Sequence, residues 1–363
     1  VGEPAIRSAM RLAMKIMGTQ FVLGTDIEAA LDKSKEWQER GYRYSYDMLG
    51  EGARTAASAS EYHRVYCASI EQVGRHSRAS DPVSGPGFSV KLSALHPRLE
   101  LAQGARIKAE LVPRVLELAQ LAREHDIGLA LDAEEAHRLD LTLDVFEAVY
   151  GDSSLSGWEG LGIAVQAYLK NAPGVIDWLS DQSARHSRRI MVRLVKGAYW
   201  DAEIKHAQNL GLAGYPVFTR KASSDLSYLV CAARLLTQRT RLYPQFATHN
   251  AHSAAAVLAM GGNASGFEFQ RLHGMGEELY EELLEAQGVE VACRIYAPVG
   301  VHRDLLAYLV RRLLENGANS SFVHNLANEA LSSRMLAGDP RDKLRALRHY
   351  ANRSIALPRQ LFG

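Results

Sequence analysis

Eight times between residues 43 and 316, a short apolar run gives way to an amphipathic helical pattern. Strand followed by helix, repeated in this way, is the signature of a parallel sheet, and strands that are apolar throughout are covered on both faces. The runs are Arg43–Leu49, Phe88–Leu95, Gly128–Leu131, Gly162–Ala167, Ile190–Val195, Gln245–Ala247, Phe267–Leu272 and Cys293–Tyr296. The helical patterns cover Arg54–Glu71, Ile107–Glu124, Glu135–Tyr150, Pro173–Ser187, Asp201–Asn209 with Ser223–Thr237, His252–Met260, Glu277–Ala286 and His302–Asn316. Eight units in about 275 residues match a closed α/β barrel of the (β/α)8 TIM type. The competing architecture, an open doubly wound sheet, calls for a G-x-G-x-x-G turn after its first strand, and the sequence has none there. Upstream, Ala5 to Gly24 reads as an amphipathic helix. Asp26 is placed to cap a second helix over Ile27–Arg40, which Gly41 ends. The expected layout is a helical arm over residues 1–41, a barrel over 42–325 and a helical, basic tail over 326–363.

Composition narrows the function classes. Hydrophobic residues make up 47% of the chain, enough for a large core, and a net charge of +1 gives no sign of a nucleic-acid surface. Cys67, Cys231 and Cys293 are scattered, odd in number and without CxxC spacing. They form no disulfide framework or zinc motif and fit a reducing cytoplasm. No apolar run approaches the roughly 18 residues a membrane span needs. The chain opens at Val1, close to a helical pattern, which suggests a stretch of a longer polypeptide.

In such a barrel the chemistry sits where the strands end. Those ends carry Asp47 and Glu51, Lys91, Asp132 with Glu134 and Glu135, Gln166, Arg193 and Lys196. They continue with Thr248-His249-Asn250, Gln270-Arg271 with His273, and Tyr296. Buried charge is costly unless it is paired or bound, so this many polar ends point to a polar ligand. The cations Lys91, Arg193, Lys196, Arg271, Arg311 and Arg312 outnumber the obvious acids, so the ligand is expected to carry phosphate or carboxylate. Arg311 and Arg312 are adjacent on the last helical pattern, about 100° apart, and can grip one small anion from two sides. Lys196-Gly197-Ala198 leads into a helix N-terminus and suits a pyrophosphate. His249, His252 and His273 with Asp132 and Glu134 raise a metal site, but no two histidines share a strand end, so no metal is expected. A Schiff-base lysine at Lys91 or Lys196 remains a second reading, and a carboxylate-binding module without turnover a third.

The strings at these ends are Tyr46-Asp-Met-Leu-Gly-Glu51, Val90-Lys-Leu-Ser-Ala-Leu-His-Pro-Arg98, Leu131-Asp-Ala-Glu-Glu135, Val165-Gln-Ala-Tyr168 and Val192-Arg-Leu-Val-Lys-Gly-Ala-Tyr-Trp-Asp201. They continue as Tyr215-Pro-Val-Phe-Thr-Arg-Lys221, Pro244-Gln-Phe-Ala-Thr-His-Asn250, Phe267-Glu-Phe-Gln-Arg-Leu-His-Gly-Met-Gly276, Arg294-Ile-Tyr-Ala-Pro-Val-Gly300 and Tyr308-Leu-Val-Arg-Arg-Leu-Leu-Glu-Asn-Gly317. In their order and spacing they resemble the proline dehydrogenase family, specifically the flavin barrel of bifunctional proline utilization A proteins. The resemblance covers residues 43 to about 325.

It implies a distorted barrel that holds FAD and oxidises L-proline to Δ1-pyrroline-5-carboxylate by hydride transfer to flavin N5, with electrons passed to a quinone. Carried over by position, Arg311, Arg312 and Lys91 would clamp the proline carboxylate, and Asp132 would orient that group. Tyr296, Tyr308 and Leu272 would wall the ring. Glu51 would pair with Arg311 as a gate. Arg193 would sit near flavin N5. Gln166, Lys196, Gly197, Ala198, Trp200, Thr219, Lys221, Thr248, His249, Asn250, Gln270, Arg271, Arg312, Glu315 and Ser321 would hold the cofactor. The resemblance further implies a cytoplasmic protein, with peripheral contact at the inner face of the membrane left open for the full-length chain. The bifunctional members also carry a ribbon-helix-helix segment and an aldehyde dehydrogenase half. Neither pattern occurs in these residues, so DNA binding and the second oxidation are expected elsewhere in the parent polypeptide.

Overall fold

The computed structural model describes residues 18, 20–262, 266–285, 290–301, 308–311 and 338–361. Eight parallel strands close into a barrel in chain order: β1 (Arg43–Met48), β2 (Gly87–Val90), β3 (Gly128–Leu131), β4 (Leu161–Gln166), β5 (Ile190–Val195), β6 (Leu242–Ala247), β7 (Glu268–Leu272) and β8 (Ala292–Val299). Closure is made by β8 against β1, with Arg43 opposite Arg294 and Met48 opposite Val299. The doubly wound alternative is excluded by this closure.

The helices follow the apolar periodicity. Asp26 accepts from the Ala29 N–H at 2.9 Å and starts the helix Ile27–Glu39, and Gly41, at φ +86°, ends that segment. The helix Ala56–His76 opens on a capping box between Thr55 and Ser58. The expected second strand is too long. It stops at Val90, and Leu92–Leu95 forms a helical turn behind Lys91. Sequence reads that turn as strand because all four of its residues are apolar and buried, as a strand core would be. The eighth helical pattern is described only at 308–311, so its ends lie outside the described residues.

Outward-facing strand residues and the helices form one continuous core, which includes Tyr46, Phe88, Leu129, Ile163, Val192, Phe246, Phe269 and Ile295. Inward-facing residues are mostly polar. A void of about 10 Å³, roughly the room one water needs, lies among Ser45, Met191, Arg193, Gln245 and Arg294, so the axis is packed and is no pore. A smaller apolar cluster joins Phe21, Val22, Leu49, Met275, Tyr308 and Leu309, with Leu272 against it. It ties the end of the N-terminal arm to the residues after β7 and to the described part of the eighth helix. Leu23 and Gly24 extend this tie by pairing with Pro298 and Gly300. Residues 338–361 fold back on the segment after β5: Asn352 N–H donates to Thr219 Oγ1 at 3.0 Å, and Tyr215 OH to the Ala356 carbonyl at 2.7 Å.

Candidate active site

Period-two alternation turns Ser45, Asp47, Ser89, Arg193, Gln270 and Tyr296 into the barrel, and Lys91 and Asp132 continue the same faces just past their strands. They meet in one buried network. Lys91 Nζ lies 2.6 Å from Asp47 Oδ1 and 3.0 Å from Asp132 Oδ2. Tyr296 OH donates to Asp132 Oδ2 at 2.7 Å. Arg193 reaches from β5 across the barrel: Nη1 to Asp132 Oδ1 at 2.6 Å, Nη2 to Ser89 Oγ at 2.7 Å, and Nε to Gln270 Oε1 at 2.9 Å. Its guanidinium also lies 4.9 Å from the Tyr296 ring centre.

The protonation states follow from these partners. Burial alone would lower the Lys91 pKa, but Asp47, Tyr296 and Asp132 outweigh it and hold the ammonium well above its ordinary range. A Schiff-base nucleophile needs the opposite shift, so the aldolase reading loses Lys91. Burial pushes Asp132 up, but Lys91 and Arg193 pull it further down, and it stays ionised. Asp47 goes up, chiefly through burial, and its Oδ2 has no hydrogen-bond partner. Of the two carboxylates it is the first to take a proton. Burial, with Asp132 and Asp47 beside it, keeps the Tyr296 phenol neutral.

Arg311 stands over this mouth in a two-pronged pair with Glu51, Nη1–Oε1 at 2.6 Å and Nη2–Oε2 at 2.9 Å. It also lies 5.3 Å from the Tyr199 ring centre. Burial raises Glu51, but the hydrogen bonds and charge of Arg311 bring it below the usual carboxylate range. Leu272, the last residue of β7, is the register partner of Tyr296 on β8, and Tyr308 belongs to the apolar cluster that Leu272 packs against. Arg312, Glu315 and Ser321 lie outside the described residues.

The candidate cofactor residues gather at the ends of β4 to β7. Gln166 donates to the Glu134 carbonyl at 2.8 Å. Lys196 and Lys221 share Asp225, at 2.5 and 2.6 Å. Gly197 has φ +131°, and a Cβ there would meet the Tyr168 ring at 2.5 Å, so only glycine fits that turn. Ala198 is exposed beside it, and Trp200 Nε1 donates to the Phe218 carbonyl. Thr219 is held by Asn352. Thr248 Oγ1 accepts from the Asn250 N–H, His249 Nε2 accepts from the Leu272 N–H, and Asn250 caps the helix Ala251–Gly261. The Gln270 amide is committed inside the barrel, to Arg193 through Oε1 and to Glu268 through Nε2.

Two expectations need correction. Arg271 does not face the mouth. Gln270 takes the inward position on β7, so Arg271 points outward and packs 4.5 Å from the Trp37 ring and 5.4 Å from Tyr42. The mouth is also not dominated by cations. Among the described residues Lys91, Arg193 and Arg311 face Asp47, Asp132 and Glu51. Asp225, Ser45, Ser89 and Tyr199 were missed as partners. Asp225 carried a signal, four residues after Lys221 on one helix. The serines carried period-two spacing with Asp47 and Lys91.

The donor set at these strand ends suits a nucleotide-bearing cofactor. Amide, hydroxyl, imidazole and ammonium groups converge on the ends of four successive strands. Lys196, Lys221 and Asp225 together leave one positive charge where a pyrophosphate would lie. Arg271 is not part of that set.

Comparison with known proteins agrees with this architecture. Residues 30–325 match the family model described as proline dehydrogenase. The bifunctional protein PutA of Klebsiella aerogenes is 50% identical over 374 residues, covering all of this chain, which spans 28% of that protein's length. Proline dehydrogenase of Deinococcus radiodurans is 29% identical over 88% of this chain and 93% of its own. A crystal structure of a Bradyrhizobium japonicum proline utilization A variant superposes with a TM-score of 0.91 at 55% identity, covering 100% of this chain and 37% of that one.

Proposed function

This chain belongs to the proline dehydrogenase family, and on that premise we propose that it oxidises L-proline to Δ1-pyrroline-5-carboxylate with FAD as resident cofactor and a quinone as final acceptor. The observation that carries the reading is the buried Lys91–Asp132–Tyr296–Arg193 network directly beneath Arg311. Proline offers a carboxylate, a secondary amine and an apolar ring. Arg311 and Lys91 answer the carboxylate, with Arg312 next to Arg311 in sequence. Leu272, Tyr296 and Tyr308 answer the ring.

FAD, when bound, supplies the acceptor for the hydride that leaves the ring carbon next to nitrogen. The chain's own residues bind and orient. Asp132 fixes Lys91, Arg193 and Tyr296 through one carboxylate, so the clamp and the wall are set by the same group. Glu51 holds Arg311 until a substrate carboxylate competes for its fork. Asp47, Asp132 and Glu51 are each paired with a cation, so none stands as a dedicated base for the amine, which is expected to react neutral. Gln166, Arg193, Lys196, Lys221, Thr219, Thr248, His249 and Asn250 would hold the cofactor. Among the described residues no helix is long and apolar enough to cross a membrane, and any membrane contact of the parent protein is a proposal of the same standing.

Two outcomes test this. The purified chain should be yellow, release FAD on denaturation, and bleach when proline is added without oxygen. A folded, colourless protein that takes up no added FAD would return the reading to a binding module. Arg311→Met should raise the proline KM by the equivalent of about 1.5–3 kcal/mol, the worth of a hydrogen bond to a charged group. Flavin content should hold. An unchanged KM would remove Arg311 from the clamp.

A further inference from the structure

Away from the mouth, the helices Ala56–His76 and Gly104–Glu124 pack side by side on the outer layer. His63 and Cys67 lie one turn apart on the first, so both point the same way. Glu117 of the second faces them. His63 Nε2 is 3.4 Å from Glu117 Oε2 and 3.9 Å from Cys67 Sγ, and the three donor atoms all lie within 4.8 Å of one another. We propose that His63, Cys67 and Glu117 bind a borderline-soft divalent cation such as zinc and so clip these two helices together.

The distances carry the argument. A tetrahedral zinc with bonds of about 2.1 Å to nitrogen and oxygen and about 2.3 Å to sulfur separates its ligand atoms by roughly 3.4–3.6 Å. The imidazole–carboxylate edge already has that length, and the imidazole–sulfur edge is a few tenths of an ångström longer. The widest edge closes by turning Glu117, whose side chain is 59% exposed and free to move. The mixed N, S and O set suits zinc and its neighbours in the first transition row, not magnesium or calcium.

The charges around the site favour a cation. Glu117 brings a carboxylate oxygen within 4.8 Å of the Cys67 sulfur. Nearby arginines are engaged elsewhere: Arg64 with Glu61, Arg75 with Glu71, and Arg114 with the Leu95 carbonyl and Ser60. His63 Nε2 also lies 3.3 Å from the Arg114 carbonyl, a contact that the cation would replace, leaving the ring proton on Nδ1. On binding, the Cys67 S–H bond breaks, its proton leaves to solvent, and a sulfur–metal bond forms. One thiolate, one carboxylate and a neutral imidazole then balance the two positive charges, and water fills the fourth position.

The test uses the flavin-loaded full chain. Cys67 is half-buried while Cys231 and Cys293 are buried, so iodoacetamide labelling followed by mass spectrometry reads Cys67 selectively. Zinc should bind with one equivalent, slow Cys67 labelling and raise the melting temperature, and magnesium should do none of these. Cys67→Ser and His63→Gln should each weaken zinc binding by at least the roughly 10–100-fold that loss of a supporting partner costs a metal site. Both variants should keep proline-dependent flavin bleaching, which shows that they fold. Zinc that leaves Cys67 labelling unchanged, or binding undiminished in both variants, would overturn the site and leave His63–Glu117 as a simple ion pair.

Discussion

An Asp132→Ala variant is expected to lose about 3–5 kcal/mol of stability and most of its proline turnover. Asp132 is 7% exposed and receives Lys91, Arg193 and the Tyr296 hydroxyl. Removing it leaves two buried cations, Lys91 and Arg193, with Asp47 as the neighbouring carboxylate, paired with Lys91. An uncompensated buried charge costs far more than the lost pair itself was worth. Lys91 and Tyr296 also lose the group that aims them, so turnover falls even in the folded fraction. Asp132→Asn keeps the shape and part of the hydrogen bonding, and should fall between wild type and alanine. Urea denaturation with proline kinetics on the folded fraction checks both effects. An alanine variant with wild-type stability and rate would mean that the network is not organised by Asp132.

Glu268→Ala should cost a similar 3–5 kcal/mol yet spare the proline KM. Glu268 is fully buried on the floor of the barrel. Arg294 Nε reaches it at 2.6 Å and Arg43 Nη1 at 3.0 Å, with Gln245 at 2.7 Å. Among the described residues its link to the mouth runs through Gln270, so binding there is touched indirectly. The effect depends on pH. Burial raises the Glu268 carboxyl, but Arg294 and then Arg43 outweigh it, and the folded value lies below the ordinary one. A depressed carboxylate contributes stability that is complete above its unfolded value, roughly 4.3, and is lost as pH falls through the folded value. The gap between wild type and variant should therefore be widest near neutrality and narrow below about pH 4. Chemical denaturation at several pH values measures it. A gap that grows on acidification would contradict the assigned charge state.

Much of this is readable in the sequence. β3 and β5 fall on Gly128–Leu131 and Ile190–Val195 as expected, because each apolar run ends sharply at a charged residue, Asp132 and Lys196. The Asp26 cap was legible because capping is local. Arg271 misled because a cation at a strand end carries no mark of its facing; Gln270, one residue earlier, occupies the inward side. The turn at Leu92–Leu95 misled because buried apolar residues read alike in a short helix and a strand.

The alternation of strands and helices and most of the polar strand ends were determined by the sequence alone, since each rests on periodicity within one segment, whereas closure of β8 on β1 joins distant segments. Which acid meets which cation was decided only by tertiary structure. Lys91 finds Asp47 across 44 positions, Arg193 finds Asp132 across 61, and Arg311 finds Glu51 across 260. Barrel closure brings such residues within hydrogen-bond reach, and no local pattern encodes separations of that length. Among the described residues the same closure pairs Lys91, Arg193 and Arg311 with Asp47, Asp132 and Glu51, where the sequence by itself offered a surplus of positive charges.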